Sequence, residues 1–494
     1  MNARRATLQL GIDLAPWPRM PYFSPDPSNT GSPGAAGPIA QTTVRDWTCP
    51  FCPLLCDDLT LALEADGTLT DQAGRCARLA ESLGRYRTDD AQCPASIDGR
   101  AVSHDEACAR AAEVLAAARR PLFGGLATDV AGMRELYTLA AACGATLDHL
   151  HGVAMSTATR VMQDRGALFT TLSEIRSRAD LLIFFRCRPA EHYPRFYERA
   201  LGDAAFAREL VFVGGEADPA AKGLPKVLTQ TMLPHLDPVD LVALWSALTE
   251  GRPAAALNTL RSDGHAAVDV LAALAKRISA ARYTVLVYEP AALPGTQPAL
   301  IVEGLQRIVK AINRTTRAGA LALAGDDGAT TANQAVTWLS GLPLPLRVPR
   351  IGHRAATDGR TGHNEQSAFE LEHDAHRLQT ERQLVEGGAD TLFWISTFAP
   401  TRWPDALPAR TPAIVIGHPA LAEAAVARGA STVFIPAATP AIDVPGHLFR
   451  LDGTVVAPLT AARGFALPPL AAIARGIADR LTPSPASGAG AAPS

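Results

Sequence analysis

Residues 49–58, Cys49-Pro50-Phe51-Cys52-Pro53-Leu54-Leu55-Cys56-Asp57-Asp58, with the later Gly74-Arg75-Cys76-Ala77-Arg78-Leu79, decide how the rest of this chain is read. A C-x2-C-x3-C loop aims three thiols inward and a distant fourth cysteine closes the cage, the pattern by which iron–sulfur clusters are held. Four thiolates can also bind zinc, so Cys49, Cys52, Cys56 and Cys76 are candidate metal ligands for a [4Fe-4S] cluster or for Zn. Pro53 directly follows the second ligand and has no amide hydrogen, which removes one donor to a cluster sulfur. Asp57 and Asp58 read either as residues that order the loop or as a solvated turn pair.

Outward from that loop, the other four of the eight cysteines (Cys93, Cys108, Cys143 and Cys187) are scattered and read as small buried residues. The first twenty residues carry basic side chains but no continuous apolar stretch, so no secretory signal is expected. A reducing, cytoplasmic location is therefore expected, in which clustered cysteines read as metal ligands before disulfides. The chain has 494 residues, a formal net charge of -3 and a 19% share of charged residues. Such a balance points to neither a nucleic-acid nor an anionic-membrane partner. The longest apolar runs, such as Leu181–Phe185, fall far short of the roughly 20 residues that span a bilayer.

A single core rarely exceeds about 250 residues, so more than one domain is expected. Residues 1–45 are rich in Pro, Gly, Ser and Asn and read as a disordered or extended arm, and 481–494 as a disordered tail. Between them lie a small cysteine-cluster domain (46–100), an α/β domain (101–280) and a second α/β domain (281–480) intertwined with the first. Strands are expected at 121–124, 179–185, 209–213, 283–288, 318–324, 391–396, 413–417 and 432–436, alternating with Ala-rich helical stretches. That alternation is the mark of an α/β fold with mainly parallel sheets. Ser103 and Glu106 form a capping box ahead of one helix. Ligands of such sheets sit beyond the carboxyl ends of strands, here the loops after Phe123, Phe185, Ala324 and Ile395.

The words CPFCPLLCDDLTL and GRCARL resemble the start of the B subunit of formylmethanofuran dehydrogenase, a molybdenum or tungsten pterin oxidoreductase. Four further blocks follow the family in order. RRPLFGGLATDVAGMRELYTLAAACGATLDH is similar to its strand, turn and helix after the cluster, and RADLLIFFRCRPAEHYPRF to its Arg-Ala-Asp strand, Cys-x-Pro and the histidine and arginine beyond. GDDGATTANQAVTWLSGLP and IPAATPAIDVPGHLFRLDG resemble its Thr-Trp helix and its closing segment. The resemblance implies a molybdopterin-oxidoreductase-like fold, with Rossmann-like parallel-sheet domains equivalent to domains 1–3 of formate dehydrogenase.

It also implies where the chain departs from redox chemistry. The redox family places a cysteine or selenocysteine metal ligand before a His-Gly pair, and Leu147-Asp148-His149-Leu150-His151-Gly152 puts Leu150 there. Leucine has no lone pair to give a metal, so a Mo/W-bis-pterin is not expected. His151 matches the histidine beside that ligand, and Arg350 in LRVPRIGHR falls near an active-centre arginine of the family; without a metal both are expected to be structural.

A bacterial relative of this assembly, the formyltransferase/hydrolase complex, uses a B subunit without needing electrons. The resemblance therefore implies a non-redox B subunit of such a complex in tetrahydromethanopterin-linked one-carbon oxidation, passing a formyl group to a methanofuran-like carrier and on to formate. The chain would be mainly a scaffold, with an amidohydrolase-like hydrolase, a formyltransferase and a β-helical C-type subunit as partners. The alternative is a redox-active formylmethanofuran dehydrogenase subunit with Mo/W-pterin and [4Fe-4S].

No G-x-G-x-x-G after a strand, P-loop or G-x-S-x-G elbow occurs, which removes nucleotide-dependent transfer and serine hydrolysis. His363, His373 and His376 lie close in TGHNEQSAFELEHDAH, where His-x-x-His could present two imidazoles on one helix face. The apolar segments Val242–Leu248 and Val268–Leu274 read as core-facing helices.

Overall fold

The computed structural model describes residues 42–202, 206–258, 265–294, 296–350, 371–464 and 466–481. Three strands open it, β1 (Thr42–Trp47), β2 (Leu59–Leu63) and β3 (Leu69–Asp71), in an antiparallel sheet. The cysteine loop connects β1 to β2, and a short helix, Ala77–Leu83, follows β3. The arm expected over residues 1–45 therefore ends early. Residues 42–45 belong to β1, whose Val44 and Trp47 pair with Leu61 and Leu59, and the remainder lies outside the described residues.

A hairpin, β4 (Ala95–Ile97) and β5 (Arg100–Val102), leads to β6 (Pro121–Ala127) and β7 (Thr146–Leu147). The chain then builds a separate parallel sheet from β8 (Leu181–Phe185), β9 (Arg208–Val213), β10 (Val227–Met232), β11 (Thr284–Tyr288) and β12 (Ala318–Ala322), in the order β10-β9-β8-β11-β12. It returns to the first sheet with β13 (Leu346–Arg347), β14 (Glu372–His373), β15 (Thr391–Ser396), β16 (Ala413–Gly417) and β17 (Thr432–Pro436). That sheet has nine strands, β14-β13-β7-β6-β15-β16-β17-β4-β5, with a parallel centre and antiparallel pairs at both edges. A hairpin, β18 (Gly446–Phe449) and β19 (Val456–Leu459), and the helix Leu470–Leu481 close the described chain.

The eight expected strands are all present, because each is a short run of β-branched, aromatic or small apolar residues buried on both faces. The boundary drawn at 280/281 differs from the observed pairing. β11 lies beyond it, yet hydrogen-bonds to β8 along its whole length, so 281–325 complete the five-stranded sheet. Parallel pairing needs crossovers and is blind to sequence order, which is why a linear cut misplaces this segment.

The helices Pro238–Thr249, His265–Ala280 and Pro298–Ile312 cover one face of the five-stranded sheet, burying Trp245, Leu271, Leu274 and Leu305. The two apolar helical segments thus face the core. Helices His104–Ala117, Val130–Cys143, Ala329–Ser340 and Leu470–Leu481 cover one face of the larger sheet. The capping box forms: Ser103 Oγ accepts from the Glu106 amide, and that carboxylate accepts from the Ser103 amide at 2.8 Å.

The other face of the five-stranded sheet carries Phe184 and Phe212, stacked at 4.8 Å. It shares one hydrophobic cluster with Trp47, Phe51, Leu59 and the cysteine loop. Trp47 Nε1 donates to the Ala441 carbonyl and Tyr86 Oη to that of Phe398, which seats the front lobe against the loops after β17 and β15 of the nine-stranded sheet. No helix among the described residues is long and apolar enough to cross a membrane.

Candidate functional site

The loop after β1 folds back on itself, the Cys49 amide donating to the Cys56 carbonyl at 2.9 Å. Leu55 takes φ +47 to make the turn, and the Pro53 carbonyl accepts from the Leu451 amide at 2.9 Å, tying the loop to the closing hairpin. Cys49, Cys52 and Cys56 are buried and Cys76 half-buried; all four line one cavity together with Leu54, Leu59, Leu79 and Arg195. Burial raises the Cys49 thiol well above its ordinary value. It pushes Cys52 to about 12 against the pull of Arg78. Cys56 reaches about 11, with Arg195 and Arg199 opposing. Such thiols stay protonated unless a cation replaces the proton.

The donor set is therefore that of a soft-metal site, four sulfurs with no carboxylate among the described residues of the lining. Among the described residues, however, no group of three or more His, Cys, Asp or Glu is arranged to grip a metal ion. The cavity is small, about 10 Å3, so a cluster would push aside the leucines that line it.

Above the loop the segment after β7 carries the expected metal-ligand position. The Asp148 amide donates to the Phe123 carbonyl, and its carboxylate accepts from the amides of His149 (3.0 Å) and Thr380 (2.7 Å). A Cβ on Gly152 would lie 2.6 Å from that carboxylate, so only glycine lets the helix Gly152–Arg165 start there. Leu150 is half-buried and packs against two hydrophobic clusters, the one containing the cysteine loop and the one on the outer face of the nine-stranded sheet. It offers no donor, and a pterin-held metal does not fit this position. His151 ends just before the helix; burial lowers its imidazole below the usual value, while Asp326 pulls the other way.

Between His151 and the cysteines lies a group that sequence reading does not single out. Arg78, two residues beyond Cys76, pairs with Asp326 at 2.8 Å, and Tyr193 Oη donates to the same carboxylate at 3.1 Å. Burial raises the neighbouring Asp327 to about 6. Glu289, at the end of β11, lies 2.7 Å from His192 Nδ1 and is likewise raised by burial. Apart from Arg78, which lies on the helix Ala77–Leu83, these groups come from the ends of β8, β11 and β12, where parallel sheets place their functional loops. The available signals were two acids inside Gly325-Asp326-Asp327-Gly328 and an arginine beside the fourth cysteine.

Arg350 does not join His151. β13 runs antiparallel to β7, carrying Arg350 back to Gly144, whose added Cβ would lie 3.2 Å from that of Arg350. His151 follows the other end of β7. The two positions thus lie at opposite ends of β7, set apart by strand direction, which spacing alone does not reveal. His363 lies outside the described residues. His373 sits in β14, not on a helix, with Nδ1 against the Pro345 carbonyl (2.9 Å) and Nε2 against Gln163 (2.9 Å). His376 Nε2 meets the Arg382 guanidinium.

No family model matches the chain. It is 30% identical to the B subunit of the formyltransferase/hydrolase complex Fhc of Methylorubrum extorquens over 309 residues, 62% of this chain and 75% of that protein. It is 24% identical to the B subunit of the tungsten-containing formylmethanofuran dehydrogenase 2 of Methanocaldococcus jannaschii, over 84% and 92% of the two chains. A chain of the crystal structure of the M. extorquens complex FhcABCD, with methylofuran bound, superposes with a TM-score of 0.61 at 27% identity, covering 78% of this chain and 98% of that one. Acetylene hydratase from Pelobacter acetylenicus shares the fold, with a TM-score of 0.55 at 11% identity over 89% and 69%.

Proposed function

The chain belongs to the family of the B subunit of the formyltransferase/hydrolase complex, and from that premise we propose that it is the non-redox B subunit of such a complex, acting mainly as a scaffold in the cytoplasm. Its five- and nine-stranded sheets would be the remodelled pterin-binding domains of a molybdopterin oxidoreductase. Its partners would be an amidohydrolase-like hydrolase, a formyltransferase and a β-helical C-type subunit, which together move a formyl group from tetrahydromethanopterin through a methanofuran-like carrier to formate.

The observation that carries this reading is Leu150: the position of the heavy-metal ligand holds an aliphatic side chain that bridges two hydrophobic clusters. Loss of a soft donor removes the metal's protein bond, and packing of the replacement removes its space. Around it, Arg78 is engaged by Asp326 and Tyr193 by the same carboxylate, so the charged groups of the crevice are turned toward one another rather than toward a ligand. The cysteines would hold a structural [4Fe-4S] cluster; bound there, it would cross-link the loop after β1 to Cys76 within the front lobe rather than supply electrons for turnover.

The test is co-expression of the chain with the three partner subunits. The expected outcome is a stable complex that releases formate from formyl-tetrahydromethanopterin and contains neither tungsten nor molybdenum. A pterin-bound metal whose oxidation state changes with formyl substrate would overturn the proposal in favour of the redox-active dehydrogenase subunit.

A further inference from the structure

Among the described residues one cationic side chain lines the cysteine cavity, and it is locked in place from both ends. Arg195 stands there beside the four thiols. Its side chain is 2% exposed, although its partners Asp58 and Glu198 are 39% and 45% exposed. Nη1 donates to Asp58 Oδ1 at 2.7 Å and Nη2 to Oδ2 at 2.5 Å, a two-pronged grip, while Nε donates to Glu198 Oε2 at 2.9 Å and Nη2 also meets Glu198 Oε1. A buried guanidinium is tolerable only when its donors are matched in this way.

The placement of the partners gives the network its meaning. Asp57 and Asp58 directly follow Cys56, whereas Arg195, Glu198 and Arg199 belong to the segment after β8, the helix Phe196–Leu201 included. Arg199 grips Asp57 at 2.7 Å. Arg75, the neighbour of Cys76, reaches Glu198 at 3.2 Å and Asp58 at 3.6 Å. The third and fourth cysteines are thus flanked by members of one ion network of three arginines and three carboxylates, anchored on the five-stranded sheet. Backbone hydrogen bonding joins Cys49 to Cys56, and the network brings in Cys76.

We propose that Arg195 is the positioning residue of the cysteine site: by holding Asp58 onto the helix after β8 it keeps Cys56 and Cys76 facing the same cavity, and so governs how firmly the four thiols retain an iron–sulfur cluster. Its guanidinium also sets a cation against the net negative charge of a four-thiolate cluster. The inference rests on the cluster reading above. Lysine would be a poor substitute, since a point charge cannot engage Asp58 and Glu198 in a planar fork.

The experiment uses the full chain, reconstituted anaerobically with iron and sulfide, and follows the loss of visible cluster absorbance after a chelator is added. Arg195→Met is expected to release iron at least about tenfold faster than the unaltered chain, with Arg195→Lys in between. Asp58→Asn, which keeps the shape and sits at the exposed end of the network, serves where the arginine variant fails to fold, and should release iron several-fold faster. A second readout needs no metal: the rate at which N-ethylmaleimide labels Cys52 and Cys56 in iron-free protein should rise in both variants. Wild-type retention and wild-type labelling rates in these variants overturn the inference. An unaltered chain that takes up no iron overturns the cluster reading instead, and the labelling rates then decide the positioning role alone.

Discussion

The cysteine loop and the segment Leu147–Gly152 lie against the same hydrophobic cluster, yet they are held by opposite means. The loop is clamped by buried ions. Arg195 fixes it to the five-stranded sheet, and Arg463, 2% exposed, joins Asp90 of the front lobe (3.2 Å) to Asp443 (2.9 Å). Leu150 is held by apolar contact, without a polar tie of its own side chain. Ionic clamps demand specific partners and tolerate little change, whereas an apolar plug asks only for volume. The contrast teaches how two neighbouring segments are retained differently: position 150 by the packing of an aliphatic side chain, the cysteine loop by matched charges.

Breaking the front lobe's clamp should cost most. Arg463→Met leaves Asp90 and Asp443 buried without their cation, and chemical denaturation should record a loss of about 3–5 kcal/mol; a change below about 1 kcal/mol would mean that the lobe is not held electrostatically. Next comes acidification at the seam between the lobe and the nine-stranded sheet. His418 is fully buried with its ring edge-on to Tyr86 at 4.9 Å, Nδ1 accepting from the Ala420 amide, and burial lowers it to about 4. A depressed histidine binds its proton first in the unfolded chain. Stability should therefore be full above about pH 6.5 and fall between there and pH 4, by on the order of 2–3 kcal/mol. His418→Asn keeps an acceptor for the Ala420 amide and should flatten that slope in thermal melts; an unchanged slope would assign it to other groups.

Leu150→Ala sharpens the other side of the comparison. A half-buried leucine bridging two clusters should cost about 1–2 kcal/mol, less than a fully buried one. Leu150→Cys should cost less still and recover no tungsten or molybdenum by elemental analysis, since the crevice beside it is filled by the Arg78–Asp326–Tyr193 group; stoichiometric metal in that variant would show the pterin site to be intact. The smallest effect is expected at the surface histidines: His376→Ala should shift stability by no more than about 0.5 kcal/mol and leave metal content unchanged.

Much of this was legible from local pattern. Runs such as Leu181–Phe185 and Thr391–Ser396 are continuous apolar stretches of strand length, and each is a strand because no alternative buries both faces of five or six such residues at once. The cysteines announced a shared cavity by spacing. Legibility failed where strand direction or long-range pairing decided the outcome. Arg350 and His151 each resemble active-centre residues of the family, but the antiparallel entry of β13 carries Arg350 to the end of β7 opposite the one His151 follows. His373 and His376 had helical spacing, but pairing of β14 with β13 drew the first into a strand.

The amino-acid sequence by itself determined which chemistry the chain can offer: four thiols near its start, and a carbon side chain at position 150. Tertiary structure alone decided which charges meet. Arg195 and Asp58 stand 137 positions apart, and nothing local to either selects the other. Their union is the consequence of a parallel sheet delivering the segment after β8 to the cysteine loop, where a cation removed from water is stable only against the carboxylates it finds there.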